Sequence, residues 1–274
     1  MKRRSNMNLI WSTYRRIRTG ILRAVPWSFM VSRITTGVIQ IIIPYFIYVF
    51  FMERNVTDTF YAYAGGADYM TYVVLGSALN VLAVSTLMNI GRALITELRE
   101  GTLEMLLLSP SPRGPYFAGC LLEQTTRALL EFAAVLVVGA CCGAKLGRIF
   151  TVSALFAIAF AVFGFFCMGL LLSGVMLYTR DTYITQNTLF VSMSLVCGIA
   201  FPIQYLPQWV QNVAQIFPLT PAVTLFRNVV TGGQGFLENG QLILQVLLLS
   251  AVYLSAGFLW NRKLERSLLE SMFG

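Results

Sequence analysis

Long apolar runs separated by short polar intervals set the pattern of this chain. A helix that crosses a hydrocarbon layer needs roughly 20 apolar residues. Six runs meet or approach that length: Trp27–Phe51, Thr71–Ile95, Tyr116–Cys142, Ile149–Tyr178, Tyr183–Ala200 and Gln241–Trp260. Ahead of the first, Leu9, Ile10, Tyr14, Ile17, Ile21 and Leu22 recur at helical spacing against Arg15, Arg16, Arg18 and Arg23. Residues 1–25 are therefore predicted to form an amphipathic helix lying in the headgroup layer, stripe toward the acyl chains and arginines toward anionic lipid. Residues 26–274 are predicted to form an all-α membrane domain of six transmembrane helices. Met52–Met70, Gly143–Arg148 and Asn228–Gly240 read as loops on one side, and Thr179–Thr182 and the tail Asn261–Gly274 lie on the other. Pro44 is expected to kink the first span, and Asn80 and Asn89 to hydrogen-bond between helices.

Two intervals depart from this alternation. In the first, Glu97, Arg99, Glu100 and Glu104 alternate with Leu98, Leu103, Met105, Leu106, Leu107 and Leu108, which predicts a short amphipathic helix over about 97–108. Pro110, Pro112 and Pro115 end it. In the second, Phe201–Leu225, the prolines Pro202, Pro207, Pro218 and Pro221 flank an amphipathic Trp209–Phe217. That segment is too polar and too broken to cross, but it can enter the layer and turn back where protein buries its irregular backbone. It reads either as an aromatic anchor at the interface or as an outer closure.

Composition narrows the class. The 274 residues are 57% hydrophobic and 12% charged, with a mean hydropathy of +0.69; soluble domains carry about a quarter charged residues. An ordinary soluble domain is excluded. The net charge of +8 reports orientation rather than nucleic-acid binding. Basic residues cluster in Lys2–Arg23, at Arg92, Arg99, Arg113 and Arg180, and at Arg262, Lys263 and Arg266, which places both termini in the cytoplasm. Arg54, Lys145, Arg148 and Arg227 fall on the outer side, Lys145 and Arg148 as a local exception. There is no histidine, and Cys120, Cys141, Cys142, Cys167 and Cys197 lie within apolar runs, so the sequence suggests neither a metal site nor a disulfide framework. No GxxxxGK[ST] phosphate loop occurs, and Gly232-Gly233-Gln234-Gly235 lacks the lysine that chemistry needs. No cofactor is expected on this chain.

The third apolar run holds an unusual set of charges. Glu123, Arg127 and Glu131 follow one another at four-residue steps, on one helical face, as a ladder of alternating sign. A charge at bilayer depth costs roughly 2.5–3.5 kcal/mol on insertion scales and normally faces a bundle interior or a wet cavity. The ladder is either a self-neutralising brace or part of a transport path.

Glu97–Pro110, with Glu100-Gly101-Thr102-Leu103-Glu104, a leucine run and Ser109-Pro110, resembles the cytoplasmic coupling loop of type-2 ATP-binding-cassette (ABC-2 type) exporter permeases. Phe201-Pro202, Leu206-Pro207, Trp209, Phe217-Pro218-Leu219-Thr220-Pro221 and Arg227 are similar to the outer re-entrant segment of that family. The resemblance implies a permease subunit of an ATP-driven exporter in the cell (inner) membrane, not itself an enzyme. ATP and Mg would sit on a separate ATPase subunit, present in two copies, and a second copy of this permease or a close homologue would complete the path. Glu97, Glu100, Gly101, Thr102, Leu103 and Glu104 would then contact the ATPase, and Phe201, Pro202, Leu206, Pro207, Trp209 and Pro218 would form an outer gate. Spans rich in Phe, Tyr and Met suit an amphipathic drug, a lipid or a lipid-linked cargo. Export of a polysaccharide or glycoconjugate is the alternative within the family. An ion-coupled carrier using Glu123 and Glu131 as proton sites is the alternative outside it, although no internal repeat is visible.

Overall fold

The computed structural model describes residues 2–24, 27–53, 55–102, 105, 108, 113–179 and 181–273, and all regular structure among them is helical. The first helix, α1 (Lys2–Ala24), is followed by α2 (Trp27–Phe46), which carries Pro44 inside it and continues into a π-helical turn, Ile47–Phe51. Pro44 has no N–H to give to the preceding turn, and the chain answers with this widened turn rather than a break. The expected loop 52–70 holds a short helix, α3 (Asp58–Tyr63).

Next come α4 (Tyr69–Leu87) and α5 (Asn89–Arg99), which form one 31-residue span, Tyr69–Arg99. The helical ladder passes through the irregularity at Met88: its N–H bonds the Val84 carbonyl at 3.1 Å, and its own carbonyl accepts from Arg92 at 3.0 Å. The rest of the bundle is α6 (Arg113–Cys141), α7 (Val152–Thr179), α8 (Tyr183–Val196), α9 (Gln208–Ala214), α10 (Leu219–Val230) and α11 (Gly240–Phe273).

Several sequence expectations change. Among the described residues four helical stretches are long and apolar enough to cross a membrane, Ile34–Phe51, Tyr69–Arg99, Val152–Thr179 and Phe236–Leu264, and α9 with α10 makes a fifth only if that pair, bent by 87°, is counted as one span. Among the other two expected spans, α6 has ample length at 29 residues, whereas the 14 residues of α8 rise only about 21 Å against a ~30 Å layer. The expected outer loop 228–240 starts as helix, because α10 runs to Val230. The expected division at Asn261 is absent: α11 continues to Phe273, since no proline or glycine interrupts it there. Asn80 is fully buried, yet its amide makes no hydrogen bond among the described residues, and the side chain of Asn89 lies outside them.

The architecture is built around α4. Every residue from Tyr69 to Leu87 is buried, and α4 contacts α2, α6, α7, α8 and α10. A helix apolar on all sides with no favoured face belongs inside a bundle. By contrast α2 and α11 turn large apolar side chains outward, among them Ile43, Phe46, Phe50, Leu248, Val252 and Phe258, as a lipid solvent permits. Small residues set the helix spacing: a Cβ on Gly139 of α6 would fall within the Val74 side chain, and one on Gly169 of α7 would lie 2.9 Å from the Leu87 carbonyl oxygen.

The amphipathic stripe of α1 has a different use from the one its periodicity suggests. Tyr14 and Thr13 are buried, and Gly119 of α6 lets the helices approach until a Cβ there would sit 2.8 Å from the Ile10 carbonyl oxygen. Part of the stripe is therefore spent on protein rather than on acyl chains.

Gly169→Val should lower the thermal unfolding midpoint of the purified protein by an amount equivalent to about 1–3 kcal/mol, the usual cost of overpacking. Gly20→Ala, at a position with open space around the added carbon, should leave it unchanged or raised.

Candidate functional site

The polar stretch after α5 is shaped by a helix end. Gly101 adopts φ +71°, a left-handed conformation that a Cβ penalises. Around it, the Thr102 N–H bonds the Glu97 carbonyl at 2.9 Å and the Gly101 N–H bonds the Leu98 carbonyl at 3.3 Å, the paired bonds of a Schellman C-terminal motif. The predicted helix over 97–108 is consequently not continuous. Glu97–Arg99 are the last turn of α5, and the chain reverses at Gly101.

Glu97 faces inward from that turn and is 6% exposed. Its carboxylate accepts hydrogen bonds from Arg16 of α1, from the Thr102 hydroxyl and, at 3.3 Å, from the Tyr116 hydroxyl at the start of α6. One carboxylate thus joins α1, α5, α6 and the turn. Glu100 and Gly101 are exposed, Thr102 is half-buried, and Met105 and Leu108 are 76% and 58% exposed. Leu103 and Glu104 lie outside the described residues.

On α6 the charge ladder divides. Arg127 donates to Glu123 at 2.8 Å and to Gln124 at 2.7 Å, while Glu131 accepts from Ser85 of α4 at 2.8 Å. Glu123, Gln124 and Glu131 are buried, so the ladder faces protein, and its far rung is tied across to the central helix.

At the other end of α4 the proline-rich segment folds back. A short 3-10 turn (Ile203–Tyr205) and α9 precede α10, with Pro202 and Pro218 buried, Phe201 and Leu206 half-buried, and Pro207 and Trp209 exposed. Gln211 bonds the Leu206 carbonyl at 2.8 Å, Thr220 bonds the Ala214 carbonyl at 2.6 Å, and Tyr253 of α11 donates to the Ile216 carbonyl at 2.9 Å. These bonds occupy backbone acceptors that the prolines and turns leave open.

Arg227, expected on the outer side and in the motif that resembles the re-entrant segment, is 7% exposed inside α10. Its guanidinium donates to the carbonyls of Gly198 (2.8 Å), Ile199 (2.9 Å) and Tyr72 (2.8 Å), and Cζ stands 3.3 Å above the centre of the Tyr72 ring. The Tyr72 hydroxyl also bonds Gly198, whose φ of +68° turns the chain at the end of α8. Gly76 of α4 leaves the room, since a Cβ there would meet Arg227 and the Ile199 carbonyl oxygen. The sequence signal for this arrangement is a lone arginine in an otherwise apolar helical run, and its carbonyl partners lie far from it in the sequence.

Among the described residues no three His, Cys, Asp or Glu side chains gather as a metal site. The five cysteines are free; Cys120, Cys167 and Cys197 are buried, Cys142 is half-buried and Cys141 is exposed at the end of α6.

A family model described as ABC-2 type transporter matches residues 10–231. This chain belongs to the ABC-2 type transporter family. It is a multi-pass membrane permease domain, of a family whose membrane domains work with ABC ATPases. No curated protein matches it. The matched region takes in the Glu97 tie, the ladder on α6, the proline-rich segment and Arg227, and it leaves α11 outside.

Gly101→Ala should destabilise the end of α5 by about 1–2 kcal/mol, the penalty of a Cβ in the left-handed region, and Gly101→Asn by clearly less. Thermal unfolding midpoints of the purified permease check the order.

Proposed function

We propose that this chain is the membrane subunit of an ATP-driven exporter, assembled as two permease copies on two separate ATPase subunits, with both termini in the cytoplasm. ATP and Mg bind the ATPases, and this chain supplies the path and the lever. The observation that carries the reading is the end of the span Tyr69–Arg99: a buried rod finishing in a Schellman turn beyond which Glu100, Met105 and Leu108 stand exposed. An exposed acidic and apolar pair of features beside a fixed turn suits a groove in a partner lined by basic and apolar groups.

Within this reading Glu97 is a strut rather than a contact. Through Arg16 and Tyr116 it ties α1 and the start of α6 to α5, so a push on the turn reaches three helices together. Glu100 and, from the sequence, Leu103 and Glu104 meet the ATPase. Six spans are completed by α6 and by α8, the latter finishing its crossing through the turn at Gly198. The segment Phe201–Pro218 is the outer gate, with Trp209 at the interface. Glu123 and Arg127 brace α6 internally, and Glu131 braces it to α4. The cargo is an amphipathic drug, a lipid or a lipid-linked molecule, consistent with apolar faces on α2 and α11.

Glu100→Lys with Glu104→Lys should abolish co-purification of the ATPase and ATP-dependent transport in vesicles while the permease still reaches the membrane. An intact complex would overturn the docking assignment, and transport of equal rate without ATP would overturn the exporter reading. Glu97→Ala should keep the docking surface but lower the thermal midpoint by the equivalent of about 1–3 kcal/mol, the loss of charge-assisted hydrogen bonds to a buried carboxylate.

A further inference from the structure

We infer that Arg227 is the positioning residue through which the central helix moves the outer gate. The inference rests on the outer-gate reading above and adds the device that drives it.

Arg227 follows the proline-rich segment, while Gly198 and Ile199 precede it. By holding both of those carbonyls, the guanidinium closes the base of the whole excursion from Phe201 to Phe226. The same group holds the Tyr72 carbonyl and lies on the Tyr72 ring, so the closed base is fastened to α4. Three elements, the end of α8, α10 and α4, meet on one side chain.

No carboxylate accepts from Arg227 among its described bonds. The cation is held by carbonyl dipoles at the C-terminal end of α8, where a helix presents partial negative charge, and by the face of an aromatic ring. Arginine stays protonated, and its planar fork reaches three carbonyls at once, which a lysine ammonium does not reproduce from one position. Gly76 provides the clearance that brings the fork against α4.

The far end of the same rod carries the Glu97 strut and the Gly101 turn. From Tyr72 to Glu97 the rod rises about 37 Å, and its backbone ladder runs through Met88. A tilt imposed at Gly101 is thus delivered to Tyr72, and Arg227 converts it into displacement of the gate as a unit. Without Arg227 the rod still tilts, but the segment is no longer attached to it.

The test uses right-side-out native membrane vesicles, a background with the five native cysteines replaced, and a reporter, Val223→Cys, at a buried position one turn before Arg227. Labelling by a membrane-impermeant maleimide is measured with and without ATP and Mg loaded inside, together with ATP hydrolysis and transport. With Arg227 in place, labelling should change on ATP loading. In Arg227→Met that change should fall roughly tenfold or more, the effect of losing one charge-assisted bond or more, with ATP hydrolysis retained and transport lost. Arg227→Lys should restore only part of the response. Gly76→Ala, which keeps the arginine but displaces it, should show the same uncoupling and serves where Arg227→Met does not reach the membrane. An unchanged ATP response in Arg227→Met, or in Gly76→Ala where it alone folds, overturns the inference. A parent protein with no ATP response overturns the outer-gate reading itself.

Discussion

The structure depends on one helix having no face to spare. From Tyr69 to Leu87 each side chain of α4 is covered, so every neighbour is placed by its fit to α4 as much as by the bilayer. In lipid the hydrophobic effect does not draw helices together, and close packing and polar ties must do so. The packing comes from small residues such as Gly139 and Gly169, which let α6 and α7 approach the backbone of α4. Polar ties come from Ser85 to Glu131 and from Tyr72 to Arg227. A buried helix held this way cannot move alone.

That constraint gives the ionic groups their logic. Glu97 and Arg227 lie near opposite ends of the span Tyr69–Arg99, and neither is a solvated surface charge. Glu97 gathers donors from a helix, a turn and a neighbouring helix, and Arg227 gathers acceptors from the end of one helix and the side of another. Each meets the demand that a buried charge be compensated on several sides. Between them the rod is mostly apolar, and Ser85 ties it across to Glu131 of α6.

Much of this was legible from the sequence, and the parts that were not share a cause. The apolar runs around α2, α4, α7 and α11 are long and uniform, so their existence followed from hydropathy. Local periodicity also marked α1 as amphipathic, but not that α6 covers part of its stripe, because Gly119 is uninformative until a partner is known. The resemblance makes Glu97 an ATPase contact; its burial depends on Arg16 and Tyr116, which are distant in sequence. The Glu100-Gly101-Thr102 sequence reads as a helix end once Gly is placed at the left-handed position, yet charge alternation made a continuous helix look equally natural. Arg227 stands in the motif that resembles the re-entrant segment, but the clasp it makes is not legible there. A cation satisfied by carbonyls leaves no complementary carboxylate in the sequence to announce it.

The division of the polar ties also limits where force can enter. Glu97 is tied on three sides, which fastens the end of α5 to α1, to the turn and to α6. At the other end the Tyr72 ring and carbonyl hold Arg227, the Tyr72 hydroxyl bonds the Gly198 carbonyl, and the Thr71 hydroxyl accepts from the Lys145 N–H. The base and the tip of the rod are thus each fastened to several neighbours at once. The tip is also where the backbone is most irregular, with Gly198 in the left-handed region and α9 and α10 meeting at 87°. Small rotations there cost few regular hydrogen bonds, because the turn and 3-10 segments have few to lose. What holds the segment there is a small set of bonds, from Gln211 to the Leu206 carbonyl, from Thr220 to the Ala214 carbonyl and from Tyr253 to the Ile216 carbonyl, with the Arg227 clasp at its base.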